Sequence, residues 1–405
     1  MKFLILFFSI FFTFTAFSQI SKTYDSGVAL FNDGDFKGAK IVMTRVIKQS
    51  PYYFEAYTYR ARAFQELGII DSAKIDFAIA LEKNPDYLPA IFYRGVLHFD
   101  LKEYQDAISD FSIILAKRPT FIEAIIFRGR AFEATDKNEN AINDYTSAIN
   151  LKLNNYEVYF RRGMLYEKQN MVKSAIWDYE KCLEIKKDFA EGYLHRGRMY
   201  LNREMVKEAL ADFDKVISLT DTIKDVYEYR GDLNYKNGNY KSAAEDYSIL
   251  IEKFRIKDAG LYYKRADAYY LDSNYTEANR EYARVLEVKP RYDKAVVGQA
   301  KVFLQKGKPS SALPLLRKAL AFNPSNGEAY FLEGKIFFDL KKYTEALEYF
   351  NSAIKYEPRA AAFFYRGSCK FESGDKYGAC LDLQQALKMG YKENDVEEAT
   401  KRVCN

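Results

Sequence analysis

The sequence predicts an all-helical solenoid built from about eleven repeats of roughly 34 residues. Three residue positions that recur with the repeat predict it. The first is an Ala present in every repeat, which we call the marker Ala. Twelve residues before it lies a second small residue, which is Ala at 61, 266 and 300 and Gly elsewhere, and in many repeats Pro lies twelve residues after it. Self-similarity at such a period is the signature of a repeat array. The marker Ala residues are 34 apart, except for one gap of 35 and one of 33: Ala39, Ala73, Ala107, Ala141, Ala175, Ala209, Ala243, Ala278, Ala312, Ala346 and Ala379.

Each repeat is predicted to fold as two helices joined by a turn. Small and aromatic residues recur at steps of three or four, which marks one face of a helix. Stretches such as Asn237-Gly238-Asn239 are typical of the turn between the two helices, and Pro ends the second helix. The pattern is clear in one repeat: Tyr159, Gly163 and Tyr166 in its first half, and Ala175, Tyr179 and Cys182 in its second.

The Gly in eight repeats needs an explanation, because Gly in a helix costs about 1 kcal/mol relative to Ala. Close approach of two helix backbones would offset that cost. We therefore expect the Gly of the first helix to meet the marker Ala of the second. Larger residues such as Phe77 and Phe213 would fill the space beside that contact.

The chain is expected to begin with a signal peptide over residues 1–18. Lys2 precedes a nearly unbroken apolar stretch from Phe3 to Phe17, and Ala16-Phe17-Ser18 provides small residues for cleavage before Gln19. The stretch is too short for an ordinary spanning helix. An uncleaved anchor is the alternative. No later apolar run is long enough to span a membrane, so we expect no integral span after cleavage.

Behind the signal peptide, we expect the repeat array over residues 20–393 and a capping helix with a short tail over residues 394–405, because solenoids need a polar cap. Export permits disulfides, yet four cysteines are few. A bridge among Cys369, Cys380 and Cys404 is left open. Cys182 falls where other repeats have Ala and is interpreted as a small core residue.

A charged pair recurs with the repeat. Arg precedes the first small residue and an acid follows the marker Ala by three residues; the three repeats without the Arg also lack the acid. This co-occurrence predicts a ladder of bidentate ion pairs that fixes helix register; a row of ligand-binding arginines is the alternative. The pairs are Arg60 with Asp76, Arg94 with Asp110, Arg128 with Asp144, Arg162 with Asp178, Arg196 with Asp212, Arg230 with Asp246, Arg265 with Glu281, and Arg366 with Asp382.

The composition argues against nucleic-acid binding and catalysis. The 61 Lys and Arg nearly balance the 56 Asp and Glu, whereas a nucleic-acid binder would show a concentrated basic footprint. His98 is interpreted as a core aromatic substitute, and His195 has no evident acid or thiol partner in the sequence. A general base or metal centre needs converging groups, so we expect no enzyme, cofactor or metal.

The spacing of small residue, aromatic, Ala, aromatic and closing Pro resembles the tetratricopeptide repeat, over about residues 20 to 393. The resemblance implies a right-handed superhelix whose concave wall is lined by the first helix of each repeat. Four successive repeats depart from it, with Leu153, Lys187, Asp221 and Arg255 in place of the Pro. The residues that the resemblance places in the concave groove and that we select for binding are Arg62, Phe92, Phe99, Ile126, Arg130, Phe160, Arg198, Tyr235, Tyr263, Tyr270, Phe331 and Phe338.

Aromatic residues and Arg are the types that peptide-binding hot spots use. The sequence therefore favours a non-catalytic adaptor that binds a protein or peptide in its groove, within an envelope complex. The signal segment favours export to a bacterial periplasm or cell surface. The alternative is a glycan- or peptidoglycan-binding envelope protein, whose groove aromatics would stack on sugar rings.

Overall fold

The computed structural model describes residues 19–391 and 396–404, so the signal segment over residues 1–18 lies outside the described residues. Helices joined by short turns make up the described residues, and no strand occurs among them. The chain divides after Met205 into two compact units. The predicted all-α solenoid of helix-turn-helix repeats is confirmed.

The first unit contains eleven helices in its described part. Their bounds are α1 (19–32), α2 (Phe36–Gln49), α3 (Phe54–Glu66), α4 (Ile70–Lys83), α5 (Leu88–Asp100), α6 (Tyr104–Lys117), α7 (Ile122–Ala134), α8 (Asn138–Asn150), α9 (Tyr156–Lys168), α10 (Val172–Ile185) and α11 (Ala190–Leu201).

The second unit contains the remaining described helices. Their bounds are α12 (Val206–Leu219), α13 (Lys224–Lys236), α14 (Tyr240–Glu252), α15 (Ala259–Leu271), α16 (Tyr275–Val288), α17 (Asp293–Gln305), α18 (Pro309–Phe322), α19 (Gly327–Asp339), α20 (Tyr343–Tyr356), α21 (Ala360–Glu372), α22 (Lys376–Lys388) and α23 (Val396–Cys404).

Within each unit, an odd-numbered helix packs against the even-numbered helix that follows it, and that helix packs against the next odd one. Consecutive odd helices also contact each other directly, as α3 does with α5 and α19 with α21. The odd helices of a unit therefore form one surface, which we call the odd-helix face. This is the surface for which the sequence predicts a groove.

The turn after each odd helix uses a left-handed backbone at one fixed position, seven residues after the first small residue. A residue with positive φ there ends the helix. Gly fills only five of these positions, so the Gly pattern alone did not predict the cap. The residues are Gly34, Gly68, Lys102, Asp136, Asn170, Glu204, Gly238, Ser273, Gly307, Lys341 and Gly374.

The small residue of the odd helix does face the even helix, but the expected neighbour was wrong in most repeats. A Cβ built on Gly163 would lie 2.7 Å from Cε1 of Tyr179 and 3.3 Å from Cβ of Asp178. The aromatic ring four residues after the marker Ala therefore fills the space that Gly leaves. Among the glycines described at this position, only Gly367 has its marker Ala among the three nearest neighbours of a built Cβ, at 3.2 Å from the Ala379 carbonyl oxygen.

The C-terminal helix α23 packs against α22 and is joined to it by a disulfide. Cys380 and Cys404 form this bridge, while Cys182 and Cys369 are buried free thiols. Val403 is buried beside Ala379 and Leu383. The helix lies within the predicted cap, whose boundaries over 394–405 remain a prediction, as does the extent of the array over 20–393. Over the described residues, the structure contains no helix with the length and hydrophobicity needed to cross a bilayer.

Candidate functional site

The predicted Arg–carboxylate pairs come together inside single hairpins. Nε and Nη2 of the Arg on the odd helix donate to the carboxylate on the following even helix, sixteen residues later. In the most buried Asp-containing hairpin, Nε of Arg162 lies 2.9 Å and Nη2 2.7 Å from the two oxygens of Asp178. The same contact joins Arg60 to Asp76, Arg94 to Asp110, Arg128 to Asp144, Arg230 to Asp246, and Arg366 to Asp382. Arg265 donates from both nitrogens to a single oxygen of Glu281. Arg196 and Asp212 lie in different units, so their contact remains a prediction.

A further donor of most ladder arginines reaches back to the preceding hairpin. Nη1 donates to the side chain five residues after the preceding marker Ala, so one guanidinium ties three helices together. These contacts are Arg60 to Thr44 at 3.2 Å, Arg128 to Ser112 at 3.2 Å, Arg162 to Thr146 at 2.8 Å, Arg230 to Asp214 at 2.6 Å, Arg265 to Ser248 at 3.1 Å, and Arg366 to Asn351 at 2.9 Å.

The contribution of the ladder to the stability of the fold depends on how deeply its ion pairs are buried. The side chains of Arg162 and Asp178 are 9% and 0% exposed. Burial raises the pKa of the Asp178 carboxyl, and the hydrogen bonds from Arg162 offset that rise only in part. A buried carboxylate is costly without its partner, so the geometry favours a structural role for the pair over ligand binding.

One hairpin reverses the ladder. Glu333 occupies the Arg position of α19 and is 1% exposed. Arg317 occupies the position five after the marker Ala on α18, where six other repeats carry Thr, Ser, Asn or Asp. Arg317 Nε lies 3.8 Å from Glu333 Oε1, and no described residue forms a hydrogen bond with that oxygen. Burial raises the pKa of Glu333 to about 7, an effect that Arg317 reduces.

Glu333→Gln is expected to remove a pH dependence of stability. Because the folded pKa of Glu333 lies above its usual 4.5, the folded state keeps its proton while the unfolded state loses it. The wild-type free energy of unfolding should therefore fall as pH rises from about 4.5 to about 7 and stay low above that. Gln resembles the protonated form, so the variant should be more stable by about 3 kcal/mol at pH 8. Urea unfolding at pH 5 and pH 8 measures this difference; an equal gain at both values would contradict the assignment.

A second ladder, which the sequence analysis missed, links tyrosines on even helices to carboxylates on odd helices. Tyr145 donates to Glu133 and Tyr179 to Glu167, both at 2.7 Å. Tyr247 donates to Asp232 at 2.7 Å and Tyr282 to Asp267 at 3.2 Å. The signal was in the sequence: an acid lies one or four residues after the first small residue only in repeats with Tyr four after the marker Ala. Repeats with Phe, Leu or Met there have no such acid.

Glu167 is the most connected of these acids, and it corrects the interpretation of His195. Nδ1 of His195 lies 2.8 Å from Glu167, and Arg198 lies 3.2 Å from the same carboxylate. Burial alone would raise the pKa of Glu167, but hydrogen bonds from His195 and Tyr179 hold it below its usual value. His195 does have an acid partner, one repeat earlier in the chain, which linear inspection did not reveal.

His98 also has polar partners. Its Nδ1 lies 2.6 Å from Glu103, which in turn binds Lys74 at 2.7 Å. His98, Glu103 and Asp106 place atoms of metal-ligand type within 4.8 Å of one another. The hydrogen bond from Lys74 is the main cause that lowers the pKa of Glu103, and the hydrogen bond from His98 lowers it further. We therefore interpret this group as an ion-pair cluster.

Burial raises the pKa of the Cys182 and Cys369 thiols to about 12, which removes the thiolate that a nucleophile needs.

The predicted groove residues of the first unit are all partly buried, and most contact side chains of neighbouring helices. The Arg62 guanidinium lies between the rings of Phe31 and Tyr93, at 4.2 Å and 3.8 Å from their centroids. The others pair as follows: Phe92 with Phe111, Phe121 and Phe127; Phe99 with Phe127; Arg130 over Phe99; Ile126 in the core beside α5; Phe160 with Phe189 and His195; and Arg198 with Glu167.

The second unit places its predicted groove residues in the same way. Tyr235 donates to Asp267, and Tyr270 accepts from Gln305 Nε2 at 3.2 Å while Lys301 lies over its ring. Tyr263 packs on Tyr282 and Tyr292. Phe331 and Phe338 both contact Tyr365. Only Phe92 and Tyr270 among the twelve line one of the described cavities, of about 280 Å³ and 470 Å³.

The chain is therefore a helical repeat protein in which two polar ladders link the two helices of many hairpins. Sequence profiles described as tetratricopeptide repeat match residues 60–120, 230–296, 297–363 and 156–189, together more than half of the chain. The chain belongs to the tetratricopeptide repeat family, as the spacing predicted. Proteins of this family are generally non-catalytic scaffolds that bind protein or peptide partners.

The chain is less similar to individual proteins than to the family profiles. Tetratricopeptide repeat protein 16 of Mus musculus is 30% identical over 132 residues, which are 31% of this chain and 17% of that protein. The chain thus matches less than a fifth of that curated relative. A tetratricopeptide repeat protein from Parabacteroides merdae is 20% identical, with a TM-score of 0.39 over 70% of this chain and 99% of that one. Yeast Tom70 is 15% identical, with a TM-score of 0.42 over 95% of both chains. These likenesses concern the fold alone.

Proposed function

We propose that this chain is an exported, non-catalytic adaptor of a bacterial cell envelope. It holds a peptide or a partner protein along the odd-helix face. The observation that carries the proposal is the row of partly exposed aromatic and arginine side chains on consecutive odd helices of each unit. Such residues dominate binding energy at interfaces because they offer large, amphipathic contact area.

The structural role of the ladder supports the assignment of the two faces of each odd helix. The ladder arginines point toward the even helices, where they donate hydrogen bonds to carboxylates, as Arg162 does to Asp178. The side chains three before, one after and four after the small residue share the other side of the odd helix, which we assign to the odd-helix face. A partner bound there would contact Phe92 and Phe99 without disturbing the ladder.

Two features support export. Residues 1–18 have the positive start, apolar middle and small-residue end of a signal peptide. The Cys380–Cys404 disulfide suits an oxidising compartment such as the periplasm.

In-cell crosslinking, followed by purification of the chain and mass spectrometry of what it carries, tests the proposal. We expect envelope proteins or peptides as partners and Gln19 as the N-terminal residue. The double variant Phe92→Ala with Phe99→Ala should reduce partner recovery about tenfold, because both rings lie on the odd-helix face. Circular dichroism must show unchanged helix content in this variant.

The matched control removes apolar side chains from the even helices. Ile75 and Ile113 are 59% and 40% exposed on α4 and α6. Ile75→Ala with Ile113→Ala should leave recovery unchanged. Equal loss in both double variants would contradict binding at the odd-helix face, and recovery of a saccharide polymer in place of protein would favour the glycan alternative.

A further inference from the structure

The second unit contains a cleft on its odd-helix face, of about 470 Å³, between α15, α17 and α19. This volume lies within the range of small-ligand and side-chain pockets. Its apolar lining comes from Leu304, Leu332, Ile336 and Leu340, and its charged lining from Lys301, Lys335 and Asp339. The cleft therefore combines an apolar wall with a net positive rim.

The two lysines follow from the repeat. They occupy the position directly after the first small residue in two consecutive repeats. The same position in the two preceding repeats carries Asp232 and Asp267. Charge on the odd-helix face of this unit thus changes from acidic on α13 and α15 to basic on α17 and α19.

The acids are satisfied by the protein itself. Asp232 binds Lys264 at 2.9 Å and accepts from Tyr247 at 2.7 Å. Asp267 accepts from Tyr235 and Tyr282. These carboxylates offer little unmatched charge to a ligand.

The lysines are less well satisfied. Lys301 lies 5.0 Å from the ring centroid of Tyr270 and 3.3 Å from Glu328. Lys335 is exposed, and its nearest described interaction is with the ring of Tyr365 at 5.7 Å. No carboxylate within the described residues forms an ion pair with it. An anion entering the cleft would meet this ammonium without displacing an internal partner.

We propose that this cleft binds an extended peptide segment that carries an acidic side chain next to an aliphatic one. The carboxylate lies between Lys301 and Lys335, and the aliphatic side chain packs on Leu304, Leu332 and Ile336. The inference deepens the proposed function and rests on it.

Fluorescence anisotropy with short labelled peptides tests the cleft. One probe consists of Glu, Leu and Pro, and two matched probes carry Lys or Gln in place of each Glu. Pro prevents helix formation, and C-terminal amidation leaves side chains as the only carboxylates. Wild-type protein should bind the acidic probe about tenfold more tightly than the basic one, with the preference weakening as salt rises.

Lys335→Glu should weaken binding of the acidic probe about tenfold and strengthen binding of the basic probe. Lys318→Glu is the matched control, because Lys318 is exposed on the even helix α18 and does not line the cleft. An unchanged probe ranking in Lys335→Glu overturns the proposal, as does a wild-type protein that does not bind the acidic probe. A shift of equal size in Lys318→Glu shows a general charge effect and also overturns it.

The cleft and the proposed function can fail separately. A crosslinked protein partner that depends on Phe92 and Phe99, together with a failed acidic probe, leaves the adaptor function standing without this cleft. An acidic probe that binds through Lys335, with no partner recovered from cells, leaves the cleft standing without the adaptor.

Discussion

Replacing Arg162 by Ala is expected to lower the free energy of unfolding by about 3–5 kcal/mol, because it leaves a buried carboxylate without its partner. Asp178 is fully buried and takes both of its short hydrogen bonds from Arg162. The change also removes the bond to Thr146 on the preceding hairpin. Both the hairpin and its link to the neighbouring one should weaken.

Urea unfolding and thermal melting measure this loss, and Arg161→Ala is the matched control. Arg161 is the adjacent residue on α9, but it is 28% exposed and pairs with the half-exposed Glu157. A partly exposed pair contributes about 1 kcal/mol or less. Partner recovery should survive Arg162→Ala under conditions where the protein is folded. Normal melting combined with lost partner binding would instead identify the ladder arginines as ligand contacts.

The repeat period made most of the fold predictable, because equivalent positions in the repeats pack in the same way and carry nearly the same residues. Marker Ala residues such as Ala175 are fully buried, as their fixed phase indicated. The co-occurrence of Arg162 with Asp178 was likewise visible, since removing one member of such a pair is costly and both tend to be present or absent together.

Other features depended on contacts between repeats, which a comparison of equivalent positions within one repeat does not reveal. The sequence pattern marked the repeat that contains Glu333 only as one of the three repeats without the Arg. Its partner position is Arg317 on the preceding helix, so the reversal becomes visible only when neighbouring repeats are compared. His195 and Glu167 also lie in consecutive repeats.

The groove was predictable as a surface but not as a set of free side chains. Arg62 was selected for its position and type, yet two aromatic rings enclose its guanidinium. Lys335 is more available although it was not selected. Residue type and phase identify which face a side chain lies on, while the neighbouring repeats determine whether its polar group is already occupied.

Gly163→Leu is expected to destabilise the protein by about 3 kcal/mol, the upper end of the usual cost of overpacking. A single Cβ at this position would already lie 2.7 Å from the Tyr179 ring. That ring is fully buried, and its hydroxyl donates to Glu167 at 2.7 Å. Moving the ring to admit Leu would lengthen this hydrogen bond and disturb the packing on Phe160. Thermal melting and urea unfolding measure the loss.

Gly163→Ala is the matched control and should be nearly neutral. Ala61 and Ala266 occupy the same position opposite Phe77 and Tyr282, so the hairpin can admit one methyl group by a small shift of the ring. The gain of about 1 kcal/mol in helix propensity offsets that shift. A loss of stability in Gly163→Ala as large as in Gly163→Leu would mean that the backbone conformation, and not the space beside Tyr179, requires Gly.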